Sequence, residues 1–146
     1  MKQTDPAVKD LARRLLLLEA NPGEHAEGAG GDALKVFEKL RSHLSRLVGV
    51  AGFQALLARA LALAKSETSW LEAVRVQPDG TLEGFREAAR RLPAEAVADG
   101  SAALLAHLLG LLVTFVGEAL TLRLVADIWP QARLDNVNLS PEETPA

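Results

Sequence analysis

The stretch from Ala102 to Gly117 constrains this chain more than any other: sixteen residues whose only strongly polar members are His107 and Thr114. Ser101 before it is a natural N-cap, and Pro130 cannot continue a helix. The pattern therefore predicts one helix from Ala102 to Trp129. At roughly 1.5 Å per residue it would be about 42 Å long, close to the diameter of a compact domain of this size. Such a helix must run the length of the molecule or bend, and Gly110 and Gly117 are where it can bend. A bilayer span needs around 20 apolar residues; Glu118 and Arg123 interrupt the run sooner, and no second stretch resembles a partner span. The expectation is a buried helix of a soluble, cytoplasmic protein.

The polar and small residues of this helix are ordered. Gly110, Thr114, Gly117 and Thr121 step by four, three and four, a seam that lets another backbone approach closely, whether from this chain or from a partner. His107 and Glu118 lie near the same seam. Together they suggest an acid–base pocket around His107, but three helical turns put them about 16 Å apart, too far to share one reacting atom. Local satisfaction of each polar group is the plainer reading. Arg59, on another apolar helix, would need a carboxylate if buried, and Glu118 is the candidate partner for an internal ion pair that fixes helix register.

Composition agrees with helix-on-helix packing. Half of the 146 residues are hydrophobic, but four Phe and two Trp are the only aromatics, so Leu, Ala and Val form the core. No Cys excludes disulfides, thiolate metal sites and a thiol nucleophile. A net charge of −3 provides no general attraction to nucleic acid or to an anionic membrane.

Elsewhere the chain reads as a series of shorter helices. Asp5-Pro6 is a helix start, followed by an apolar stripe at Val8, Leu11, Leu15 and Leu18. Asn21-Pro22-Gly23 ends it, and the Gly-rich stretch to Gly31 predicts a mobile loop. Asp32 caps a second helix whose packing face is Ala33, Phe37, Leu40, Leu44 and Leu47. Gly49 is placed to end that helix in a left-handed cap, making Leu47 to Phe53 the corner of a tight helical hairpin. The third helix, Ala51 to Lys65, is apolar nearly all round and is expected at the centre of the fold beside the long helix. Around Pro78-Asp79-Gly80 an irregular connector is expected, with a tiny β-hairpin whose two-residue loop is Asp79-Gly80 as the alternative. A fourth helix covers Leu82 to Leu92, and Gly100 ends the turn begun at Pro93. The whole predicts an all-α bundle of four to five helices over residues 1–130 with a flexible tail at 131–146. No repeat of fixed period stands out.

Motifs that carry chemistry are missing. There is no phosphate-binding Gly-rich loop, no His-Glu-x-x-His, no Gly-x-Ser-x-Gly, and no His three residues after a Glu. No catalytic, cofactor or metal residue is expected. Lys35, Lys39 and Arg46 form a basic helix face, an alternative footing for nucleic acid; no aromatic is interleaved for stacking, and a solvated face is its usual meaning.

Leu47-Val48-Gly49-Val50-Ala51-Gly52-Phe53 and Gly117-Glu118-Ala119-Leu120-Thr121-Leu122-Arg123 resemble segments of small all-helical bacterial proteins of unassigned function. The resemblance implies a helical fold and carries no activity or site residues. The expected role is therefore protein–protein interaction, as an adaptor, a regulatory or small structural subunit of a bacterial assembly, with a protein partner or a homo-oligomer finishing the apolar surface. A small-molecule-binding or catalytic bundle using His107 is the alternative.

Overall fold

The structure, a computed structural model, describes residues 6–19, 28–132 and 134. Asp5, most of the loop expected after Asn21 and nearly all of the expected tail lie outside these residues. The chain is all-α: α1 (Pro6–Glu19), α2 (Gly28–Lys65), a 3-10 turn (Ser69–Ala73), a β-hairpin of β1 (Arg75–Val76) and β2 (Leu82–Glu83), α3 (Phe85–Arg90), α4 (Ala94–Val116) and α5 (Glu118–Ile128).

Several helix boundaries differ from expectation for identifiable reasons. α2 begins at Gly28, and Gly30 is buried where an added Cβ would stand 2.7 Å from the Cβ of Ala89. The glycines read as a loop thus serve as a docking surface for α3, and Asp32 lies inside the helix. α4 begins at Ala94, capped by Pro93, and runs through Gly100 and Ser101 without a break. Gly100 is not a stop: the Trp70 ring lies where its Cβ would be, 2.5 Å from Cζ2, and Trp70 Nε1 donates to the Ala96 carbonyl at 3.2 Å. Ser101 is consequently no cap. Its hydroxyl is buried and, among the described residues, without a hydrogen-bond partner, which costs about 1–3 kcal/mol.

The β-hairpin forms, with Arg75 opposite Glu83 and Val76 opposite Leu82. Asp79-Gly80 is not a two-residue loop between the strands. It belongs to a turn closed by Gly80 N–H on the Gln77 carbonyl at 2.8 Å, and Asp79 accepts from the amide and hydroxyl of Thr81 at 3.0 and 2.7 Å.

Both long helices are broken at one glycine, in nearly the same conformation. Gly49 has φ 84° and ψ 161°, and Gly117 has φ 95° and ψ 160°. Neither is the left-handed helical cap expected at Gly49, since ψ is extended; only glycine occupies this region freely. Gly117 closes α4 by donating to the Val113 carbonyl at 2.9 Å and opens α5 by accepting from Thr121 N–H at 3.1 Å. One residue therefore caps both helices, and no loop is needed. Gly110, by contrast, stays within α4.

Behind the two breaks lies an internal repeat. Gly117 follows Gly49 by 68 residues, and the nine buried residues of α2 from Ala33 to Leu61 each have a buried counterpart 68 positions later. The pairs run from Ala33 and Ser101 through Leu40 and Leu108 to Phe53 and Thr121, then Leu61 and Trp129. The fold is thus built on two helical hairpins, α2 folded at Gly49 and α4–α5 folded at Gly117.

Glu19 sets their relative direction. Its carboxylate accepts from Trp129 Nε1 at 2.9 Å and pairs with Lys39. Ala33 and Ser101 meanwhile line one cavity with Leu16 and Leu17 of α1. Lys39 and the end of α5 can meet on one carboxylate only if the first arm of α2 and α4 run side by side in the same sense, because α5 is too short to reach otherwise. Gly49 and Gly117, each sixteen residues past that shared cavity, lie at the same end of the bundle.

The two hairpins are not equally covered. α4 is buried on every side from Gly100 to Leu109, with α1 packed on the face that α2 leaves free. The second arm of α2 is not central as expected. Ala51, Ala55, Arg59 and Ala62 form an exposed stripe along it. By length and composition both Gly30–Lys65 and Ala94–Val116 would pass as membrane spans, whereas the sequence led us to expect no second stretch of that kind beside the long helix. In α4, 67% of that window is inside the fold; in α2 it is 28%.

Candidate functional site

Five large hydrophobic side chains are markedly exposed among the described residues, and four of them flank the two glycines: Leu47 and Val50 at 48%, Phe115 at 64% and Leu120 at 37%. The repeat explains their clustering. Leu44 and Leu112, five residues before each glycine, are the last buried positions; Phe53 and Thr121, four residues after, are the next. Between them both hairpins extend beyond the core, and among the described residues nothing covers Leu47, Val50, Phe115 and Leu120 fully. The result is an apolar end with Arg46, Glu118 and Arg123 around it.

The expected small-residue seam falls in this region, and among the described residues nothing closes on its two glycines. A Cβ added at Gly110 or Gly117 would meet nothing within 4 Å. Thr114 is exposed and returns its hydroxyl to the Gly110 carbonyl at 3.1 Å. Thr121 alone is buried, bonded to the Gly117 carbonyl at 2.7 Å. The break at Gly117 turns the seam aside before it can form a continuous face.

The Arg59–Glu118 ion pair is also absent. Arg59 lies on the exposed stripe of α2, and among the described residues no ion pair joins it to Glu118. With its guanidinium in water, it needs no buried carboxylate.

His107 does have a carboxylate, one that sequence reasoning did not supply. Glu67, just beyond α2, stands 2.7 Å from its Nε2. The ring is 8% exposed and the Glu67 side chain 30%, so this is a partly buried pair beside the core. Its repeat counterpart is Lys39, which pairs with Glu19. Each hairpin thus carries a basic side chain at the same position, and each is bonded to a glutamate from a flanking segment. Burial pushes the Glu19 carboxyl up, but hydrogen bonds from Lys39 and Trp129, with the nearby charge of Lys35, outweigh it and hold the group below its ordinary range. The symmetry of the two pairs favours a structural role over a catalytic one.

The basic face is partly neutralised in the same way. Lys39 is engaged by Glu19, and Arg41 meets Glu38 at 3.1 Å, which leaves Lys35 and Arg46 exposed. Among the described residues no three His, Asp or Glu side chains converge to hold a metal ion. Compared with known proteins, the chain matches no family model, no curated protein and no solved structure.

Proposed function

We propose that this chain is a non-enzymatic protein-binding module, an adaptor or small structural subunit, that docks through the end carrying Gly49 and Gly117, with a second copy of itself as the partner. The observation that carries the reading is the concentration of Leu47, Val50, Phe115 and Leu120 at that end. Scattered surface leucines need no explanation, whereas a gathered apolar patch with a polar surround marks a contact surface.

One feature favours a second copy as occupant. The end is made of two hairpins with the same burial pattern, and a symmetric homodimer needs one patch that meets its own copy.

Light scattering on the full chain over a range of concentrations tests this. The wild type should show twice the mass of one chain, and the Leu47→Glu/Phe115→Glu variant one chain's mass with unchanged helical circular dichroism. A wild type that stays monomeric at every concentration sinks the reading, as does a variant that remains dimeric.

A further inference from the structure

Gly117 joins α4 to α5 without a loop, and both of its backbone bonds are those of an unbroken helix. Its N–H donates to the Val113 carbonyl and its carbonyl accepts from Thr121 N–H, each four residues away. Rotating this one residue into helical φ and ψ keeps both bonds. It also closes the ladder between them, Ala119 to Phe115 and Leu120 to Val116 included, and gives one helix from Ala94 to Ile128, about 52 Å long. The hairpin form, by contrast, depends on a φ of 95° that glycine alone adopts freely.

What the straight form loses is the packing of α5. Thr121, Val125, Ile128 and Trp129 are buried, on a helix held chiefly by α4 and α2, and Trp129 Nε1 bonds to Glu19 at 2.9 Å. A lone chain cannot replace these contacts. A second copy can, and the topology allows it. α4 runs toward the end that carries Gly117, and α5 runs away from it. Where two copies meet at those ends, α4 of one, continued past Gly117, enters the other in the direction that α5 takes there. The second arm of α2 has the same break at Gly49 but cannot be handed over alone, because the 3-10 turn, the β-hairpin, α3 and α4 follow it.

We propose that two copies exchange α5. Gly117 straightens in each, α5 fills its ordinary place in the other copy, and Trp129 bonds to the partner's Glu19. Exchange of an identical element is a low-cost route to a dimer, and short hinges invite it. The proposal rests on the end-to-end contact proposed above, and a dimer joined there by surface contact alone is the rival outcome.

The chain has no cysteine, so introduced thiols report cleanly. Lys35 is exposed near Glu19, and Gln131 is exposed two residues past Trp129. Each lies fourteen residues from its glycine, about 21 Å from the docking end, so across an unexchanged contact the two stand about 42 Å apart. Full chains carrying Lys35→Cys and Gln131→Cys are refolded together at high concentration and treated with a bismaleimide. Its spacer is the shortest that links the two sites within a dilute chain carrying both. Exchange should yield the Lys35–Gln131 link between different copies, read by mass spectrometry. Alanine costs the hairpin form equally at either glycine, but exchange relieves that cost only at 117, once in each copy. Gly117→Ala should therefore tighten the dimer by about tenfold or more, and Gly49→Ala should leave it unchanged. A dimer in light scattering without that link overturns exchange and leaves the docking end standing. A chain that is monomeric at every concentration overturns both.

Discussion

The two helical hairpins share a burial pattern and a glycine break, yet one is the core of the molecule and the other half its surface. α2 buries one face of each arm, whereas α4 is enclosed from Gly100 to Leu109. The difference comes from outside the hairpins. α1 packs chiefly on α4, and the Trp70 ring closes over Gly100, so the second hairpin is covered on a side where the first meets water. The same supersecondary unit thus becomes core or surface according to what packs behind it, and its apolar residues follow: the enclosed part of α4 is nearly all Leu and Ala, while the outer stripe of α2 is small residues and one arginine.

The sharpest test removes the same side chain from each hairpin. Leu40 and Leu108 are repeat counterparts and both fully buried. Leucine-to-alanine changes in cores cost about 2–5 kcal/mol, and the cost rises with how little the surroundings can relax. Leu108→Ala should fall near the upper part of that range and Leu40→Ala near the lower, measured by urea unfolding. Equal costs would break the distinction between a core hairpin and a surface one.

The glycines should behave alike. Neither Gly49 nor Gly117 has an atom within 4 Å of an added Cβ, so alanine meets only the backbone strain of a positive φ. That strain is about 1–3 kcal/mol. Gly49→Ala and Gly117→Ala should each lower stability by about 2 kcal/mol in thermal or chemical unfolding. A large inequality would mean that the two breaks are not the same device.

The all-α class was legible in the sequence because apolar spacing of three and four survives in every long segment, and Pro6 marked the start of α1. The repeat was not legible. Leu40 and Leu108, Leu44 and Leu112, Val48 and Val116, and Gly49 and Gly117 are among the identical pairs, but many other positions trade bulk: Phe53 and Ala60 stand where the second hairpin has Thr121 and Ile128. Burial is conserved where identity is not, and burial is a tertiary property. Gly100 and Ser101 misled for the same reason. A glycine followed by a serine is a sound helix boundary locally, and only the approach of Trp70 explains why the helix runs through it. Glu67, the partner of His107, had no signal at all, since 40 residues separate the two.

The two glutamate pairs offer a finer comparison. Glu19 is held by two donors and its side chain is 10% exposed, while Glu67 is 30% exposed. Glu19→Gln should therefore cost more at neutral pH, about 1–2 kcal/mol for charge-assisted bonds lost near the core. Its pH dependence has a definite sign. The folded-state pKa of Glu19 lies below its ordinary 4.5, so its contribution is complete above that value and is lost as pH falls through the lowered one. The wild type should lose stability over that acid range more steeply than Glu19→Gln, as followed by unfolding at stepped pH. Parallel curves would remove Glu19 from the account.

The smallest effect belongs to Arg59, the one charge on the outer stripe of α2 from Ala51 to Ala62. Read as the interior of a bundle, that stripe demanded a buried ion pair with Glu118. Read as the exposed side of the less covered hairpin, it demands nothing, and surface substitutions of this kind fall within about 0.5 kcal/mol. Arg59→Ala should be near neutral, and combined with Glu118→Ala the effects should add. A coupling of 1 kcal/mol or more in that double-mutant cycle would put Arg59 back inside and erase the contrast between the two hairpins.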